Sequence, residues 1–101
     1  MGIDAIWKDE RGRILGVVDD PDLLCDMCDL LFNQAGSCAR FINPAGDACF
    51  NQLQLPFLAQ ELKQILASLP PSAASDHLVR VIELTEKAIG QSHTYVWFVG
   101  D

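Results

Sequence analysis

The sequence predicts an α+β domain in the order ββαββααβ, with a mainly antiparallel five-stranded sheet packed with three helices. Three observations carry that class. Short β-rich runs open and close the chain, and three longer stretches repeat their apolar residues at the helical interval. Asp, Asn, Gly and Pro punctuate the boundaries between them. With no repeat or linker, the 101 residues suit one domain spanning 1–101.

The elements follow in order. Ile3 to Lys8 alternate, placing Ile3, Ala5 and Trp7 on one face and Asp4, Ile6 and Lys8 on the other. A turn over Asp9 to Gly12, where Gly12 supplies positive φ, returns the chain through a second strand over Arg13 to Val18. Asp19-Asp20-Pro21 predicts a helix over 21–34, with Asp as N-cap and Pro in the first turn. Its projection sets Asp22, Asp26, Asp29 and Asn33 on a polar stripe. Leu23, Leu24, Met27, Cys28, Leu30 and Leu31 form the apolar arc, and Gly36 is expected as a left-handed cap.

Residues 38–42 and 48–52 read as a second hairpin around Asn43-Pro44-Ala45-Gly46-Asp47, a type I turn closed by a left-handed glycine. A helix over 56–69 turns Leu58, Leu62, Ile65, Leu66 and Leu69 inward and ends at Pro70-Pro71. A third, from about Ser75 to Ile89, buries Leu78, Val81, Ile82, Thr85 and Ile89 and is capped by Gly90. The last strand, from Thr94 to Val99, is apolar on both faces, as expected of an interior strand. Trp7, Tyr95 and Trp97 are expected to share one sheet face, with Phe41 alongside, and Ile6, Val96 and Phe98 the other. If three helices do not cover both faces, a second copy of the chain is the simplest cover.

Composition narrows function. Fourteen acids against seven bases give a net charge of −7, which disfavours nonspecific nucleic-acid binding. Half the residues are hydrophobic, too many for a disordered acidic tail, yet no run reaches the ~20 apolar residues of a membrane span. No secretory leader pattern opens the chain, and the expectation is a cytoplasmic protein.

Four cysteines, Cys25, Cys28, Cys38 and Cys49, could in principle ligate zinc as a four-thiolate module. Cys25 and Cys28 fall within a helix rather than on a metal knuckle, so buried or inert thiols are expected instead, with no cofactor. His77 and His93 lack a nucleophile elbow, a metalloprotease helix motif or a phosphate loop around them, so no catalytic residue is assigned. Asp19, Asp20, Asp22, Asp26 and Asp29 concentrate acid on the first helix and its cap, a surface suited to a basic partner. A partner-binding surface is therefore expected at Asp22, Asp26 and Asp29, or at the turn bearing Asn43 and Asp47. The alternative is a small-molecule or enzymatic pocket between sheet and helices, using Arg40, Asn43, Asp47, His93, Tyr95 or Trp97.

Around Arg40 to Asp47, Phe50 to Gln54 and His93 to Asp101, the chain resembles a group of small bacterial proteins of uncharacterised function. Comparable small acidic domains occur among mobile gene-cassette products and immunity proteins. The resemblance carries no characterised activity and transfers no site residues; the leading expectation, drawn from the residues, is a non-catalytic protein-binding module, immunity- or adaptor-like by analogy.

Overall fold

The structure, a computed structural model, describes residues 2–33 and 36–100. Strands β1 (Ile3–Asp9), β2 (Ile14–Val18), β3 (Asp47–Phe50) and β4 (Thr94–Gly100) form an antiparallel sheet in the order β2-β1-β4-β3. Four helices accompany it: α1 (Leu23–Asp26), α2 (Cys28–Asn33), α3 (Leu55–Ser68) and α4 (Ala73–Ala88). The α+β class holds, with four strands rather than five and four helices rather than three among the described residues. β4 is interior, as its two apolar faces require, because it pairs with β1 on one side and β3 on the other.

The first hairpin forms as its pattern predicts. Gly12 takes φ 86°, and the Asp9 carboxylate accepts N–H bonds from Arg11 and Arg13 at 2.9 Å each. Chiefly the Arg13 N–H holds that carboxyl below its ordinary range. A bulge between Trp7 and Lys8 shifts the register, so that Trp7 opposes Gly16 and Lys8 opposes Ile14.

The missing strand is accounted for by Glu61. This carboxylate, 7% exposed on the inner side of α3, accepts N–H bonds from Ser37 (3.1 Å), Cys38 (3.1 Å) and Ala39 (2.8 Å). Successive amides aimed at one anion cannot also join a ladder, and the chain makes a 3-10 turn over Ala39–Phe41 instead. Gly36, expected as a left-handed cap, lies against Glu61, where a Cβ would collide with the carboxylate. The loop over Asn43 to Asp47 does turn, with Ala45 N–H bonded to Asn43 Oδ1 at 2.7 Å, but Gly46 is not left-handed.

The expected first helix is two short ones, interrupted at Met27. Asp20 is the anchor: its buried carboxylate accepts N–H bonds from Ile3 (2.9 Å), Leu24 (2.8 Å) and Cys25 (3.0 Å). The helix therefore begins at Leu23, beyond Pro21, with Asp22 left-handed at φ 71°. Leu30 is exposed rather than inward, and residue 34 of the expected helix lies outside the described residues.

The later helices are close to expectation. On α3, Leu58, Leu62 and Ile65 are buried while Leu66 and Leu69 are half-buried. Ser72 caps α4 in a reciprocal box with Ser75, so the helix starts at Ala73. Gly90 closes it at φ 85°, and Ile89 is exposed rather than inward.

One core joins sheet and helices. Ile3, Ala5, Val18, Phe50, Val96 and Phe98 from the sheet cluster with Leu24, Leu31, Leu58, Leu62, Leu78 and Val81 from the helices. The register reverses the expected aromatic grouping. Trp7 is paired with Val96 and packs on the core, so Tyr95 and Trp97 point to the opposite face, with Ile6 beside Trp97. Phe41, expected beside them, lies on the 3-10 turn and is 61% exposed.

Candidate functional site

The sheet face turned away from that core is organised in three rows. Cross-strand partners in an antiparallel sheet share a face, so the register gives each row directly. The middle row is Val17, Ile6, Trp97 and Cys49, one residue from each strand in spatial order. On one side runs Asp4, Val99 and Asp47, and on the other Ile14, Lys8 and Tyr95. An apolar band is thus flanked by an acidic row and a row carrying one lysine.

Among the described residues, the helices that build the core pack on the other side of the sheet. Ile6, Trp97, Tyr95 and Val99 are half-buried, and Val17 and Ile14 are exposed. The Lys8 ammonium lies 4.9 Å from the centre of the Trp97 ring, a cation–π contact. Burial raises the Cys49 thiol above its ordinary range, and the Lys8 charge acts in the opposite direction. On the acidic row, Asp4 Oδ1 accepts the Asp20 N–H at 2.8 Å.

The other expected site residues are dispersed. Asp22, Asp26 and Asp29 are exposed on or beside the interrupted helices, a surface separate from the Trp97 face. Asn43 is exposed in its turn, while Asp47 joins the open face through β3. Arg40 is exposed, its guanidinium 5.8 Å from the centre of the Phe41 ring. His93 takes φ 61° and pairs at the surface with Glu10, Nδ1 to Oε2 3.3 Å. It adjoins Tyr95 at a shallow hollow with Asn51, Gln52, Leu53 and Thr94, a hollow that holds neither Arg40, Asn43 nor Asp47. The expected pocket is therefore not assembled by these residues. Of its members, only Tyr95 and Trp97 share the open face with Asp47.

The cysteines are dispersed as well. Cys25 and Cys28 sit on either side of the break at Met27, Cys38 is buried by the 3-10 turn, and Cys49 is on the open sheet face. Among the described residues, no three His, Cys, Asp or Glu side chains are grouped to hold a metal. Burial pushes the Cys28 thiol up to about 11, with further contributions from Cys25, Asp20 and Asp29.

Two groups were not legible as anchors. Glu61 sits one position from the exposed Gln60 in an ordinary helical pattern, and nothing local marks it as the acceptor of three loop amides. His77, on α4, is buried at 3% exposure. Its Nε2 stands 3.4 Å from Asp20 Oδ1, an ion-pair distance, yet makes no hydrogen bond, and burial lowers its pKa. Among the described residues, no helix is long and apolar enough to cross a membrane. No protein-family model, curated protein or solved structure matches the chain.

Proposed function

We propose that this chain is a non-catalytic protein-binding module that works through its open sheet face. The observation that carries the reading is the band Val17–Ile6–Trp97–Cys49, left uncovered by the helices and bordered by charge on both sides. A Trp and a Tyr on a rigid sheet bury large area with little loss of rotamer freedom, which suits them to anchor a contact. An immunity- or adaptor-like role, by sequestration rather than chemistry, agrees with this surface.

A second reading places a basic partner on the exposed acids Asp22, Asp26 and Asp29. Affinity capture separates the two. Trp97→Asp should abolish capture of a partner if the sheet face binds, while Asp22→Lys with Asp26→Lys should leave it intact. The reverse outcome assigns binding to the acidic helices, and capture indifferent to both changes rejects both surfaces. Thermal midpoints measured alongside confirm that each variant is folded.

A further inference from the structure

We infer that the occupant of the open face is a second copy of the same chain, packed face to face with its strands reversed. The inference rests on the reading of that face as a docking surface and names its partner. Charge position selects both the partner and the orientation. On β1, Asp4 lies two residues before Ile6 and Lys8 two residues after it, and both share the open face with Ile6. Acid and base are therefore equidistant from the apolar row, about 7 Å to either side along the strand.

A closed face-to-face pair needs a two-fold axis lying between the sheets. If that axis runs along the apolar row, perpendicular to the strands, each β1 crosses its partner's β1 in the opposite direction. Ile6 and Trp97 then meet their own counterparts. Lys8 of each copy stands over Asp4 of the other, and Tyr95 approaches the partner's acidic row. If the axis runs along the strands instead, the Asp4–Asp47 row meets itself, and Lys8 loses its water without gaining a carboxylate. Burying one charge of a contact unpaired is strongly unfavourable; the reversed orientation gives Lys8 a carboxylate and leaves Asp47 exposed on the edge strand, so it is the orientation selected.

The excess acid of the chain does not oppose this arrangement. Asp22, Asp26 and Asp29 belong to the helices, beyond the far side of each sheet. Two helix layers separated by two stacked sheets are roughly 30 Å apart, several times the ~8 Å screening length at physiological salt. The contact is small. Four strands about 4.8 Å apart, each with some 20 Å of length, present roughly 400 Å² of projected area per copy. That is below the class of permanent interfaces, so the proposed dimer is one that exchanges with monomer.

Cys49 reports the orientation. It ends the apolar row on β3, so the reversed packing places the two Cys49 residues opposite each other on the axis, about one sheet spacing of ~10 Å apart. The other packing separates them sideways by a further three strand spacings, roughly 14 Å. A bis-maleimide whose reach matches one sheet spacing distinguishes the two.

The experiment combines that cross-linker with sedimentation of the purified chain from about 10 µM to about 1 mM. The expected result is a concentration-dependent dimer and a cross-linked dimer that disappears in Cys49→Ser. Lys8→Asp alone and Asp4→Lys alone each weaken association at least about tenfold, and an equimolar mixture of the two restores it. Asp4→Lys also removes the acceptor of the Asp20 N–H, so its folding is checked by thermal midpoint. The Cys49 cross-link decides the orientation whatever that variant does. A dimer without the Cys49 cross-link overturns the orientation and with it the proposal. A chain monomeric throughout overturns the second copy as occupant. In that case Trp97-dependent capture of a foreign chain would leave the docking reading standing, and its absence would remove both.

Discussion

Replacing Glu61 should unfold the chain at markedly lower denaturant, and the size of the loss follows from its partners. The carboxylate accepts three N–H bonds, and Cys38 and Ala39 are buried while Ser37 is exposed. In Glu61→Ala the Ser37 amide can turn to water, but the other two lose their acceptor inside the protein. An unsatisfied buried donor costs about 1–3 kcal/mol, so the pair costs about 3 kcal/mol after partial relaxation. For a domain of this size that loss lowers the thermal midpoint by roughly 12–24 °C. Glu61→Gln keeps one oxygen acceptor but brings an NH2 group against the same amides, and should fall between wild type and Ala. Urea unfolding followed by Trp fluorescence gives the free energies, and amide hydrogen exchange at Cys38 and Ala39 locates the effect. A loss below about 1 kcal/mol in Glu61→Ala, or unchanged exchange at these two amides, would refute the reasoning.

Three further outcomes follow from the packing. Burial lowers the His77 pKa from its ordinary 6.5, with Asp20 opposing and Arg80 reinforcing the shift. The unfolded chain therefore takes the proton first, so this contribution is complete above pH 6.5 and is lost as pH falls below it; His77→Leu should flatten the stability profile between about pH 7 and about pH 5, measured by urea titration. Gln52 joins the end of α4 to β4: its Nε2 donates to Ala88 O (2.9 Å) and to Thr94 O and Oγ1 (3.2 Å each), while Gly90 N–H donates to its Oε1 (2.9 Å). Gln52→Ala should destabilise by about 2 kcal/mol, with faster exchange at the Gly90 amide, and a neutral result would contradict the clamp. Gly36→Ala should also destabilise, because its Cβ meets the Glu61 carboxylate, and should lose that effect in a Glu61→Ala background.

What the sequence made legible was local. The alternation of Ile3, Ala5 and Trp7, the double apolar character of β4 and the periodicity of α3 and α4 are each properties of a few consecutive residues, and each appears in the fold. What it hid depended on distant partners. Residues 38–42 have a strand-like composition, but a carboxylate more than twenty residues away claims their amides. The start of α1 at Leu23 similarly follows Asp20, whose carboxylate accepts N–H bonds both from Leu24 and Cys25 and from Ile3, at the far end of the first hairpin along the chain.

The candidate site was legible residue by residue, but its members were assigned to the wrong face. Trp7 and Trp97 both occupy alternating strands, and only the pairing of Trp7 with Val96 decides that they point apart. The same one-residue step turns Asp47 from a turn residue into the neighbour of Val99 on the open sheet. Acid clustering in the sequence drew the expected contact to Asp22, Asp26 and Asp29, whereas the uncovered apolar band emerges only once the four strands are aligned.

The most direct test of the account is a dilution series of amide and Trp indole NMR spectra of the isolated chain, from about 1 mM down to about 10 µM. The account predicts concentration-dependent shifts at Asp4, Ile6, Lys8, Val17, Cys49, Tyr95 and the Trp97 indole, with the resonances of Leu23–Asn33 unchanged. Shifts confined to Asp22, Asp26 and Asp29, or spectra identical across the series, would contradict it.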